Sequence, residues 1–135
     1  MMGAWSHEPF GNDTACDWAY ELEESSGFSF IESTLDKAIA EANDYLESTE
    51  GEEAVAAIEV IAKLMDKGTQ SDSYTESVEL WISKNKQTPS PELVDKALKV
   101  IELLLSENSE LVELWEGQEE WFESVNKLKL AISAS

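Results

Sequence analysis

The spacing of apolar residues along the chain predicts helices almost throughout. Apolar side chains recur three or four positions apart, as they do when one face of a helix packs on a core. No segment of useful length alternates apolar and polar residues, so we expect no strands. Seven segments show the helical spacing: 13–24, 29–42, 49–68, 73–84, 90–105, 109–115 and 118–132.

Residues that favour capping mark where these helices begin. Asn12 and Asp13 are both good N-caps for the first helix, and Ser90 followed by Pro91 gives the fifth helix the clearest start. Ser109 is expected to cap the short sixth helix. Three further pairs have the spacing of a capping box, in which a hydroxyl and a glutamate cap each other's backbone. They are Ser29 with Glu32, Thr49 with Glu52, and Ser73 with Glu76.

The sequence therefore predicts an all-α fold, a compact bundle of six or seven helices in one domain that spans residues 1–135. The third helix contains Ala54, Ala56, Ala57 and Ala62, and such small residues let neighbours approach closely, so we expect it to be central. The apolar positions of the other helices include four tryptophans expected in the core: Trp18, Trp81, Trp115 and Trp121. Leu111 and Leu114 are expected to face inward with Trp115.

The N-terminal stretch is expected to be an irregular loop, residues 1–12, that attaches the chain end to the core. It is rich in aromatic residues, and its Trp5 and Phe10 bracket the segment His7-Glu8-Pro9. Two aromatic rings buried in the core would hold a short loop ahead of the first helix. The candidate anchor residues are Trp5, His7, Phe10, Asn12, Asp13, Asp17 and Trp18.

The strongly negative charge of the chain is the feature of the sequence that most affects which partners we expect. The chain has 29 acidic residues and 9 basic ones, for a formal net charge of −20, and every basic residue is a lysine. Nucleic-acid binding needs a basic surface and commonly uses arginine, so we expect this protein not to bind nucleic acid. Electrostatics instead favour a basic protein partner, although acidic helix faces also serve solubility alone.

Candidate chemistry is confined to the N-terminal stretch. His7, Glu8, Asp13 and Asp17 could together bind a hard cation, but their spacing matches no established metal motif. Cys16 lies in the first turn of a helix, where Asp13 and Asp17 oppose a thiolate, so a small buried apolar role is expected. The sequence also lacks a glycine-rich phosphate loop and a nucleophile elbow. We therefore expect no enzyme activity, no catalytic or metal-binding residues and no cofactor.

Several of these residues resemble a known family. The run Gly3-Ala4-Trp5, then Phe10, Asn12-Asp13, Ala15 and Asp17-Trp18, is similar to the signature that opens the bacterial family called domain of unknown function 4259. The segments EEAVAAIEVIAKLM at 52–65 and SELVELW at 109–115 agree with it too. The resemblance covers essentially the whole chain. It implies a small, mostly helical bacterial protein of the cytosol with no established activity or cofactor.

The functional expectation is a non-catalytic binding module. An acidic helical surface could occlude a basic partner, for example a toxic nuclease, by analogy with small acidic proteins that neutralise toxins. The alternative is a metal-dependent or hydrolytic enzyme that uses His7, Glu8, Asp13 and Asp17, and a self-associating helical module is a third possibility. The longest apolar block, Ala54–Met65, is short for a bilayer and is interrupted by Glu59 and Lys63, so we expect no membrane contact and a cytoplasmic location.

Overall fold

The structure is a computed structural model that describes residues 7–133. Within that range the chain forms seven α-helices and no strands, which confirms the predicted all-α bundle. The helices are α1 (Asp13–Glu23), α2 (Ser29–Ala42), α3 (Ser48–Leu64), α4 (Glu76–Lys84), α5 (Pro91–Leu104), α6 (Glu110–Leu114) and α7 (Glu119–Ser133). A single 3₁₀ turn, Ser73–Thr75, leads into α4.

Helix α3 lies at the centre of the bundle and contacts α1, α2, α4, α5, α6 and α7. Its central segment from Ala54 to Ala62 is buried on every face. The small side chains of Ala54, Ala56, Ala57 and Ala62 are fully buried, which explains how so many helices can pack around a single one. The central position predicted for the third helix is therefore confirmed.

Two of the predicted helix starts have the capping bonds that the sequence indicated. Asn12 Oδ1 accepts a hydrogen bond from the backbone N–H of Ala15 at 2.7 Å, and Ser90 Oγ accepts one from Leu93 at 3.1 Å. Each bond satisfies an N–H that the first turn of a helix leaves without an internal partner. Pro91 occupies the first turn of α5, where its missing N–H costs nothing.

The other capping predictions were wrong in part or in full. Phe28 and Glu47, rather than Ser29 and Thr49, precede α2 and α3, and neither caps through its side chain. Ser109 occupies the N-cap position of α6 as predicted, but its side chain makes no capping hydrogen bond. The capping box before α4 is formed one residue earlier than predicted, by Asp72 with Thr75. Aspartate is a strong N-cap, and here it places the predicted cap, Ser73, inside the 3₁₀ turn.

A distant side chain replaces the missing cap of α3. The backbone of Leu46 bonds in parallel with the segment before α6, through the Leu46 N–H to the Asn108 carbonyl at 2.7 Å and the Glu110 N–H to the Leu46 carbonyl at 2.9 Å. This pairing brings the Glu110 carboxylate to the backbone N–H of Ser48, 2.7 Å away. One N–H of the first turn of α3 is therefore satisfied by a residue 62 positions along the chain.

The tryptophans largely follow the sequence pattern. Trp18, Trp81 and Trp121 are buried, and the indole N–H of Trp81 donates to the Ser25 carbonyl at 2.9 Å. Trp115 is only half-buried, and Leu114, which was predicted to face inward, is 40% exposed. Helix α6 has only five residues, so a single inward position, Leu111, is enough to attach it to the core.

Candidate functional site

The segment before α1 is fixed to the body of the protein by Phe10. The Phe10 side chain is 0% exposed, and its backbone N–H donates to Oε1 of Gln70 at 2.8 Å. The Gly11 N–H donates to the Glu8 carbonyl at 2.9 Å, which turns the chain into Asn12 and α1. Trp5, the other aromatic residue expected in this anchor, lies outside the described residues.

The four carboxylate and histidine candidates of the N-terminal stretch lie in two different places. His7 and Glu8 line a groove of about 430 Å³ against α7, together with Glu120, Glu123 and Lys127. Asp13 and Asp17 do not line that groove and are exposed on α1. The structure therefore does not gather the four residues into one ligand set.

Asp13 and Asp17 lie instead beside Cys16. Burial raises the pKa of the Cys16 thiol, and the carboxylates of Asp13, Asp17 and Asp72 raise it further. The thiol is half-buried, and its Sγ lies 3.8 Å from the Phe10 carbonyl oxygen. Because the thiolate is the nucleophilic form of cysteine, this environment opposes nucleophilic chemistry at Cys16.

Trp18 contributes to packing between α1 and α2. Its indole N–H donates to Thr34 Oγ1 at 2.8 Å, and its ring stacks on Phe30 with 5.2 Å between the ring centroids. The Thr34 hydroxyl in turn donates to the Phe30 carbonyl at 3.0 Å. Both polar groups of this buried pair are satisfied, as the interior of a protein requires.

Sequence reasoning missed the most deeply buried charged group, Glu59 of α3. It is the one fully buried carboxylate among residues 7–133. Its Oε2 accepts from the backbone N–H groups of Thr69 and Gln70, each at 2.8 Å, and its Oε1 accepts from the Thr69 hydroxyl at 2.7 Å. Burial raises the pKa of Glu59, and these hydrogen bonds oppose the rise.

Lys63, one turn further along α3, extends this network to α4. Its Nζ contacts the Gln70 carbonyl and lies 3.8 Å from Glu59 Oε2 and 3.5 Å from Glu79 Oε2. The hydrogen bond from Thr75 to Glu79, at 2.6 Å, is the main reason that the pKa of Glu79 is lowered. The signal in the sequence was the charged pair that interrupts the apolar block Ala54–Met65.

Lys63 also lines a groove of about 360 Å³ between the 65–72 loop and α4, where Ser71, Ser83 and Lys86 contribute further polar groups. Gln70 also lines this groove and is buried. The Lys63 ammonium group already donates to the Gln70 carbonyl and to the Glu79 carboxylate. The network therefore serves mainly to hold the 65–72 loop against α3.

Another group of acids meets where α2 turns into α3. Carboxylate oxygens of Glu41, Glu47 and Glu50 lie within 4.8 Å of one another. Glu41 Oε1 accepts a hydrogen bond from the Glu47 backbone N–H at 3.0 Å. Burial, together with a hydrogen bond to Glu41, raises the pKa of Glu50. Glu50 therefore holds its proton more readily than an isolated exposed glutamate does.

Comparison with known proteins identifies the family of this chain but assigns it no function. None of the helices within residues 7–133 combines the length and the apolar composition needed to cross a bilayer. Neither the curated proteins nor the solved structures include a match to the chain. A family model does match it, over residues 3–127. The chain belongs to the family described as Domain of unknown function (DUF4259).

Proposed function

We propose that this protein is a non-catalytic binding module that covers a basic partner. The observation that carries the proposal is the distribution of its charge. With Glu59 as the one exception, every acidic residue within residues 7–133 is at least partly exposed. Together with a net charge of −20 and no arginine, this surface attracts cationic proteins and repels nucleic acid.

The charge acts mainly on the rate of association. Opposite charges steer two proteins together before contact, so association is fast at low salt and slows steeply as salt screens the field. The lifetime of the complex then depends on a small region at the centre of the interface from which water is excluded, and aromatic side chains often provide it. Tyr20 and Leu130, which are exposed on α1 and α7, are the kind of residue that could form such a centre.

The finer proposal is that the partner is a toxic protein and that the module neutralises it. Proteins that act on nucleic acids have basic surfaces, because they must bind phosphates. A surface of closely spaced carboxylates can occupy such a site in place of the nucleic acid. We place this activity in the cytoplasm of a bacterium, where the single cysteine, Cys16, would remain reduced.

Affinity capture tests the proposal directly. The chain is immobilised and exposed to a lysate of the source organism at low salt, and retained proteins are eluted by salt and identified. We expect a basic protein that stops growth when expressed alone and permits growth when this chain is co-expressed. Retention of no basic protein at low salt would contradict the binding module. A basic partner that is harmless to the cell would contradict only the neutralising role.

A second candidate function is favoured by one observation, the groove that His7 and Glu8 line with Glu120 and Glu123. The lining of this groove, which has a volume of about 430 Å³, combines a histidine with carboxylates, as a metal-dependent or hydrolytic site does, but no three of these side chains converge within 4.8 Å as Glu41, Glu47 and Glu50 do. Asp13 and Asp17, which the sequence also assigned to this site, lie elsewhere.

Calorimetric titration with Mg²⁺, Ca²⁺, Mn²⁺ and Zn²⁺ distinguishes the two candidates. Saturable binding that is lost in a His7→Ala, Glu8→Gln variant and kept in a Glu102→Gln variant would support the metal-dependent enzyme. Glu102 is an exposed glutamate of α5, so its substitution controls for charge alone. Absence of saturable binding, with an unchanged melting temperature, would eliminate the metal-dependent form of this candidate.

A further inference from the structure

The acidic residues of the chain are concentrated in two segments. Residues 38–62 contain seven acidic residues and residues 100–126 contain eight, and neither segment has a lysine, an arginine or a histidine. More than half of the 29 acidic residues therefore lie in stretches without a basic residue, and all nine lysines lie outside them. The first segment includes the turn from α2 to α3, and the second includes α6.

The fold places the turn from α2 to α3 beside α6. Tyr45, in the turn, donates its hydroxyl to Glu113 of α6 at 2.8 Å. This hydrogen bond is the main reason that the pKa of Tyr45 is raised to about 12, and the carboxylates of Glu110 and Glu47 raise it further. Carboxylates from both segments therefore lie near the same hydroxyl, and the two acidic stretches form one continuous region of the surface.

Helix α6 adds apolar surface to this acidic region. Leu114 is 40% exposed, and Glu110, four residues before it, lies on the same face of the helix. Trp115 is half-buried, since it packs against the core and leaves the rest of its indole accessible. Glu107 and Glu116 are exposed before and after the helix. We call the following residues the α6 face: Glu107, Glu110, Glu113, Leu114, Trp115 and Glu116.

We propose that the α6 face is the surface that binds the basic partner, an inference that rests on the proposed function. The occupant is a lysine- or arginine-rich segment of that protein with an apolar residue at its centre. Charge complementarity favours this occupant, because its cations meet carboxylates while its apolar residue packs on Leu114 and Trp115. A second copy of this chain carries the same net charge of −20 and would be repelled.

Two synthetic peptides separate charge from apolar contact. One consists of nine lysines, and the other has leucine in place of the central lysine. A surface that attracts by charge alone binds the nine-lysine peptide more tightly, because that peptide carries one more positive charge. We expect the opposite in low-salt calorimetry, with about threefold tighter binding of the leucine peptide, because its leucine is partly buried on the α6 face.

A pair of leucine variants shows where this preference arises. Leu114→Ala should remove the preference for the leucine peptide and leave binding of the nine-lysine peptide nearly unchanged. Leu80→Ala is the matched control, because Leu80 is an exposed apolar residue of α4, and this variant should keep the preference. Unfolding curves verify that both variants fold.

Fluorine labelling locates the bound peptide. The chain has five tryptophans, so the protein labelled with 5-fluorotryptophan gives five signals, which single Trp→Phe variants assign. On titration with the leucine peptide we expect the signal of the half-buried Trp115 to shift. The signals of Trp18 and Trp81, which are buried in α1 and α4, should stay.

Neutralising exposed glutamates tests the electrostatic part. A Glu107→Gln, Glu116→Gln variant should bind both peptides about threefold more weakly, because it removes two charges next to the binding surface. A Glu23→Gln, Glu76→Gln variant removes two exposed charges from α1 and α4 and should weaken binding less. Equal effects of the two variants would show that the peptides follow the net charge of the protein and would overturn the α6 face.

Failure of this inference differs from failure of the proposed function. If the peptides bind while the Trp115 signal does not shift, the α6 face is overturned and the acidic binding module stands. A leucine preference that persists in Leu114→Ala leads to the same result. If the leucine peptide shifts Trp115 and the lysate yields no basic protein, the α6 face stands as a surface for basic segments and the proposed function fails.

Discussion

The Gln70 side chain bonds to the backbone of Phe10, with 2.8 Å between Oε1 of Gln70 and the N–H nitrogen of Phe10, although the two residues are 60 positions apart. Gln70 is held by Glu59 through its own backbone N–H, and its Nε2 donates to Asp72 Oδ2 at 3.0 Å. One buried side chain therefore connects the segment before α1, the loop after α3 and the cap of the 3₁₀ turn.

Phe10 is expected to be essential for stability. Phe10→Ala should lower the free energy of unfolding by about 3–5 kcal/mol, because it removes a fully buried ring and leaves a cavity. Urea unfolding followed by circular dichroism measures the loss. Leu80→Ala, at a side chain that is 56% exposed, is the control and should change stability by less than about 0.5 kcal/mol. Similar losses for both variants would show that Phe10 does not attach the N-terminal segment.

Glu59 should contribute through its hydrogen bonds more than through its charge. Glu59→Ala leaves the buried N–H of Gln70 and the partly buried N–H of Thr69 without an acceptor, so we expect a loss of about 2–4 kcal/mol. Glu59→Gln keeps an oxygen for both N–H groups and removes a buried charge, so its loss should be clearly smaller. Urea unfolding compares the two variants with Glu102→Ala on the exposed face of α5. Equal losses for Ala and Gln would mean that the charge dominates.

The elements of this fold that depend on nearby residues were predictable from the sequence. Apolar periodicity predicted all seven helices, and the caps at Asn12 and Ser90 followed from side chains that lie three residues from the N–H groups they satisfy. The central place of α3 followed from its alanines. In each case the pattern and its physical consequence lie within one or two helical turns.

The elements that depend on distant partners were not predictable. Glu110 caps α3 from the start of α6, and Glu59 binds a loop beyond the end of its own helix. A sequence pattern shows that Glu59 interrupts an apolar stripe, but it does not show which donors the carboxylate meets. The separation of His7 and Glu8 from Asp13 and Asp17 likewise depends on how α7 packs beside the N-terminal segment.

Trp18 and Thr34 should be energetically coupled through the hydrogen bond between them. Trp18→Phe removes the indole donor, and Thr34→Val removes the acceptor and leaves the buried indole N–H unsatisfied. A double-mutant cycle of urea unfolding should give a coupling energy of about 1 kcal/mol, the usual net value of a buried hydrogen bond. Strictly additive losses would show that the 2.8 Å contact contributes nothing to stability.

The dependence of stability on pH should be opposite to that of most small proteins. Burial is the main reason that the pKa values of Glu52, Glu53 and Glu59 are raised. A carboxyl with a raised pKa binds its proton more readily in the folded chain than in the unfolded one. Its stabilising contribution is therefore complete below the unfolded value, about 4.3, and is lost as pH rises through the folded value. Repulsion among the ionised carboxylates of a chain with net charge −20 also lowers stability as the pH rises.

We therefore expect the melting temperature to rise when the pH is lowered from about 7.5 to about 5, above the unfolded pKa of glutamate. Further acidification should reverse the trend, because the pKa of Glu79 is lowered and its contribution disappears as that carboxylate is protonated. Thermal unfolding at constant ionic strength measures the profile, and added salt should flatten the part that repulsion causes. Glu53→Gln should reduce the slope, whereas Glu102→Gln, which removes the same charge from an exposed site, should reduce it less. A melting temperature that falls steadily from neutral pH to pH 5 would show that Glu52, Glu53 and Glu59 prefer to be ionised in the folded protein.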